Sequence, residues 1–88
     1  MLTIEAYLKE VASHLMTDMV TETEILREIE GHLAEAAAAG EQAGLSPEEA
    51  ERQAVIQFGP AREIAEQFRQ VHNESVSQAV LSAALPVL

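Results

Sequence analysis

From Ile4 to Phe68 the apolar residues recur at intervals of three and four, and no stretch shows the alternation of a strand, so the pattern predicts helices throughout. Ile4, Leu8, Val11 and Leu15, supplemented by Tyr7 and Ala12, form one inward stripe for a helix over residues 4–16, with Thr3 placed to cap it. A break at Thr17 to Thr21 follows. A long helix over 22–43 then opens on the capping-box pair Thr21 and Glu24 and carries Ile25, Leu26, Ile29, Leu33, Ala36 and Ala37. The next segment, Gly44-Leu45-Ser46-Pro47-Glu48-Glu49-Ala50, is punctuated at every step. Gly44 can end one helix in the left-handed conformation, Ser46 can cap the next, Pro47 suits its first turn and Glu49 completes a capping box. Ala50, Ala54, Val55 and Phe58 share one side of this central helix over 47–58, which Phe58-Gly59-Pro60 closes. A fourth helix over 61–72 is expected to bury Ile64, Ala65, Phe68 and Val71.

The expected fold class is therefore all-α, a small four-helix bundle-like domain over residues 1–74 with an apolar C-terminal extension over 75–88. Leu8, Val11, Leu15, Ile29, Leu33, Phe58, Ile64 and Phe68 are expected in one core, the two phenylalanines as its largest members. In the long helix, Gly31 costs about 1 kcal/mol relative to alanine, and Ala36 to Gly40 is a run of small residues that permits close helix approach. That run reads either as tight packing within the domain or as a docking groove for a partner helix.

The extension has a different character. No charged residue occurs from Ser75 to Leu88, and Val76, Val80, Leu81, Leu85, Val87 and Leu88 make it strongly apolar. A bilayer span needs about 20 apolar residues, so this tract is too short to cross by itself. It reads as a last bundle helix, as a homodimerisation segment, or as the start of a truncated transmembrane helix. The expectation that fits its ending within an apolar run is the third, with the membrane reached through residues beyond the C-terminus.

Composition narrows the chemistry. A chain of 88 residues is one small domain that buries only about 60–65% of its unfolded surface, so added stability from a partner matters. Fifteen Asp and Glu against five Lys and Arg give a formal charge of −10, which opposes direct binding to nucleic-acid phosphates and favours a basic protein partner. Cysteine is absent, which removes disulfides and thiolate metal sites. The N-terminus lacks the basic region and apolar run of a secretory signal, so the domain is expected to stay where it is synthesised.

No catalytic constellation emerges. His14, His32 and His72 are far apart, and no histidine pair stands three or four residues apart, as a helical metal site needs. Glu28, His32 and Glu35 line one edge of the long helix; as a metal-handling or catalytic set they are the weakest of the readings, and as part of a partner-binding surface they are the chosen candidates. The glycine-rich phosphate loop and the Gly-x-Ser-x-Gly elbow are both missing, so no cofactor and no enzyme activity are expected.

Several segments together carry a family resemblance. Glu28-Ile29-Glu30-Gly31-His32-Leu33, then Ala43-Gly44-Leu45-Ser46-Pro47-Glu48-Glu49-Ala50, then Ala54-Val55-Ile56-Gln57-Phe58-Gly59-Pro60, then Ile64-Ala65-Glu66-Gln67-Phe68 resemble the HAAS signalling domain and the closely similar permease prefix domain. The likeness covers about Tyr7 to Phe68. It departs at Gly59-Pro60-Ala61, where family members often have Gly-Asp-Pro, and the lost aspartate removes a side-chain cap from the fourth helix. The resemblance implies a non-catalytic interaction and signalling domain on the cytoplasmic side of a bacterial inner membrane, acting with a PadR-type winged-helix repressor. The alternative it implies is the N-terminal prefix domain of an ABC-type permease.

Overall fold

The fold was analysed from a computed structural model that describes residues 2–71. The apolar extension over 75–88 and His72 lie outside the described residues. Helix α1 spans Ile4–Leu15, α2 Met19–Gln42, α3 Pro47–Phe58, and α4 residues 61–71; the described residues include no strand.

Local chemistry accounts for most of these limits. Thr3 accepts a hydrogen bond from the Ala6 amide at 3.1 Å and Ser46 accepts one from the Glu49 amide at 3.2 Å, so each satisfies an amide that the first helical turn leaves without a partner. Only the Ser46 half of that capping box forms, because the Glu49 carboxylate turns to Arg52 at 3.0 Å. At the end of α2 the Leu45 amide donates to the Gly40 carbonyl and the Gly44 amide to Glu41, both at 3.0 Å, which is a Schellman ending with Gly44 at φ +106°. Helix α4 starts at Ala61 without a side-chain cap, the Pro60 carbonyl accepting from the Ile64 amide at 3.0 Å.

One helix start differs from expectation. Asp18, not Thr21, caps α2, accepting from the Thr21 amide at 2.6 Å and from the Thr21 hydroxyl at 3.2 Å. Helix α2 therefore begins three residues earlier than Glu22, at Met19. Aspartate is the stronger cap, and its charge also suits the positive end of the helix dipole. The first helix stops at Leu15 because Met16 takes the left-handed conformation, φ 51° and ψ 44°.

The core is aliphatic and fine-grained. Val11, Leu15, Ile25, Ile29 and Leu33 are fully buried, joined by Tyr7, Ala54, Val55, Ala61 and Ala65. Leu8, Phe58, Ile64 and Phe68 are only half-buried and pack on this core from its rim, and Val71 is exposed. The phenylalanines are thus not the centre of the core. Small residues contribute: alanines at 54, 61 and 65 let the helices close, and the ring buried among them is that of Tyr7. The small-residue run of α2 serves the same end. A Cβ on Gly40 would stand 3.1 Å from the Cβ of Ala50, and Ala37 packs on the core, so the run brings α3 against α2; Ala36, Ala38 and Ala39 stay exposed.

Candidate interaction surfaces

Two long-range hydrogen bonds fix α1 across α3 and set which faces remain open. The Ile4 amide, in the first turn of α1, donates to the Glu51 carboxylate at 2.9 Å. The Tyr7 hydroxyl donates to the Gly59 carbonyl at 2.7 Å, while its ring meets Phe58 edge-on with centroids 6.0 Å apart. Burial, then the nearby Glu10 charge, pushes the Tyr7 hydroxyl up to about 12, so it stays a neutral donor at physiological pH. These polar groups hold helices together. Among the described residues there is no cluster of three or more His, Asp or Glu side chains able to hold a metal ion.

With α1 so placed, three exposed surfaces stand out among the described residues. The first is the edge of α2 that carries Glu28, His32 and Glu35, the residues singled out from the sequence. Spacings of four and three put them in one line, all are exposed, and neither glutamate enters an ion pair among the described residues. The His32 ring lies over Phe58, centroids 6.5 Å apart and planes tilted by 32°, so the acidic line runs beside an aromatic rim.

The second surface is an open groove of about 470 Å³ between α1 and α2, walled by Ile4, Leu8, Ala12 and Leu26 and edged by Glu5, Lys9 and Glu30. Sequence reasoning assigned Leu8 to the core, because a stripe records which residues are apolar and not how much of the stripe a neighbour covers. The third surface is the turn between α1 and α2, where Met16 and Met19 are each 84% exposed and Val20 is 70% exposed. Nothing in the periodicity flags these residues, since each lies outside the inward stripe of its helix.

Acidic groups lie at both ends of the molecule, Asp18 and Glu22 at the start of α2 among them. Glu41, Glu48, Glu49 and Glu51 lie around the far end, where α2 gives way to α3. The opposite end gathers His14, Arg62 and Arg69 with Glu66 and Met16 around a shallow recess. None of the helices among the described residues is long and apolar enough to cross a membrane.

The model of the HAAS family matches residues 6–67, a span that includes most of α1, all of α2 and α3 and most of α4. Members of that family are small helical interaction domains, not a known class of enzyme. No curated protein and no solved structure matches the chain.

Proposed function

The chain belongs to the HAAS family, and on that premise we propose that it is a cytoplasmic signalling module of a bacterial membrane protein that docks on a PadR-type winged-helix repressor. The observation that carries this reading is the line of Glu28, His32 and Glu35, three exposed side chains on one edge of a rigid helix beside the Phe58 rim. A basic repressor surface complements that line, and the formal charge of −10 steers the encounter before short-range contacts form. Docking of this kind acts by population shift: if the domain prefers one repressor conformation, its availability sets how much repressor holds the other. Attachment to the membrane runs through residues after α4, beginning with the uncharged tract from Ser75.

The test is calorimetric titration of the domain into a cognate PadR-type repressor, at two salt concentrations. Binding should weaken as salt rises, since screening shortens the reach of surface charge to about 8 Å at physiological ionic strength. The pair Glu28→Lys and Glu35→Lys should weaken it further at low salt. Absence of binding at both salts would remove the repressor reading and bring forward the permease-prefix one. Unaltered binding by the double variant would leave the partner in place and exclude this edge of α2 as its site.

A further inference from the structure

The end of the molecule at the α1–α2 turn combines features that the reading above does not use. Met16, Met19 and Val20 protrude there around one turn, with the capping Asp18 between the methionines and none of the three spent on packing. Helix α4 runs alongside α1 in the same direction. Ala61 and Arg62 share a recess with Tyr7 and Glu10, and Arg62, Glu66 and Arg69 line the next one with Ser13, His14 and Met16. The C-terminal ends of α1 and α4 therefore lie together, and the chain leaves α4 beside the methionine turn. Val71, the last described residue, is itself 54% exposed. A few residues later begins the tract from Ser75 to Leu88, which has no charge.

From this convergence we infer that the turn formed by Met16, Met19 and Val20 is a lipid-contacting tip, seated in the interface of the bilayer that receives the segment after α4. The inference rests on the membrane attachment proposed above and adds an orientation to it. Flexible thioether side chains adapt to an irregular apolar medium such as the acyl boundary, and apolar groups at this depth add to the anchoring of whatever segment enters the core. The end-on arrangement points Glu41, Glu48, Glu49 and Glu51 away from the headgroups, at the far end of the 24-residue α2; Asp18, Glu22 and Glu66 stand near the surface with His14 and Arg69, so apolar contact and not charge holds the tip. The line of Glu28, His32 and Glu35 then faces sideways into the cytoplasm, clear of the bilayer.

The chain holds only three methionines, so oxidation can be followed residue by residue, with Met1 as internal reference. The full chain is mixed with phosphatidylcholine vesicles, floated to measure binding, and exposed briefly to hydrogen peroxide before mass spectrometry. Oxidation of Met16 and Met19 relative to Met1 should slow about tenfold on vesicles, and the paired change Met16→Gln and Met19→Gln should reduce the bound fraction by a similar factor. Chains that float with vesicles yet oxidise at Met16 and Met19 as fast as in solution would overturn the tip while leaving attachment intact. A bound fraction unchanged in the paired variant would overturn it too. Chains that do not float at all would overturn the attachment and the tip with it.

Discussion

The two turns at the ends of α2 are built on opposite principles. At the α2–α3 turn each residue obeys its local preference: Gly44 occupies the positive φ, Ser46 caps, Pro47 follows, and Gly40 lies under Ala50 so that the helices close. At the α1–α2 turn Asp18 caps correctly, but the left-handed position is filled by methionine and two more large apolar side chains point outward. An L-residue with a Cβ held in the left-handed region costs about 1–2 kcal/mol, and exposed Met and Val contribute nothing to the core. A turn selected only for stability would resemble the first. The second turn does not, and that departure from local preference is what the proposed lipid-contacting tip would account for.

The sharpest way to break this contrast is to overfill the tight turn. Gly40→Val places a branched side chain where a Cβ alone would already stand 3.1 Å from the Ala50 Cβ and 3.4 Å from its Cα. Backbone, not a flexible side chain, must yield, so the variant should lose about 1–3 kcal/mol in a urea melt. Gly31 is the control, because its missing Cβ would meet nothing within 4 Å. Gly31→Ala should gain about 1 kcal/mol from helix propensity alone. Equal losses at both glycines would mean that α2 and α3 do not approach closely at Gly40.

The two turns also differ in how far they could be read from the residues alone. Everything at the α2–α3 turn follows from short-range rules, so Gly44, Ser46 and Pro47 take the places their spacing assigns them. At the other turn Thr21 and Glu24 offered a rival capping pattern, and local rules do not rank it against Asp18, whose side chain reaches the Thr21 amide. The bonds from Tyr7 to Gly59 and from Ile4 to Glu51 join residues 52 and 47 apart, and nothing local marks such pairs. The same holds for the core. Periodicity correctly brings Val11, Leu15, Ile29 and Leu33 inward, but it cannot tell that alanines would draw the helices together and leave Phe58 and Phe68 at the rim. Of the candidate surface, the shared edge of Glu28, His32 and Glu35 was legible from spacing; the groove beside Leu8 and the tip at Met16 depend on what neighbouring helices leave uncovered.

A third turn, between α3 and α4, sharpens the comparison because it is tight through a distant partner. Gly59 holds φ +114° and ψ 174°, a region essentially restricted to glycine, and its carbonyl receives the Tyr7 hydroxyl at 2.7 Å. Tyr7→Phe keeps the ring against Phe58 but removes the donor, and should cost about 0.5–1.5 kcal/mol. The pH dependence carries the same signature. The folded-state value of Tyr7 lies above its ordinary 10.0, at about 12, so its contribution is complete below pH 10 and is lost as pH rises through 12. Denaturant midpoints measured from pH 9 to 12 should therefore fall more steeply for the native chain than for Tyr7→Phe. Parallel curves would show that Tyr7 titrates alike in the folded and unfolded chain.

The smallest effect expected is the most telling about the loose turn, because its sign is opposite. Met16 is 84% exposed and sits at φ 51°, so replacing it with glycine sacrifices little packing and removes the steric penalty of a Cβ in the left-handed region. Glycine also enlarges the unfolded ensemble, and that entropic term offsets part of the relief. The balance should favour Met16→Gly by about 0.5–1 kcal/mol, whereas glycine substitutions in ordered segments usually destabilise. A thermal melt resolves this difference, since 1 kcal/mol moves the midpoint of a domain this size by about 4–8 °C. The same variant should bind phosphatidylcholine vesicles less well than the native chain, because one of the two methionines of this turn is gone. Gain of stability together with loss of lipid binding is the pattern of a residue kept for its surface. Loss of stability on Met16→Gly would instead make Met16 a structural member of the turn, and the two ends of α2 would no longer differ in kind.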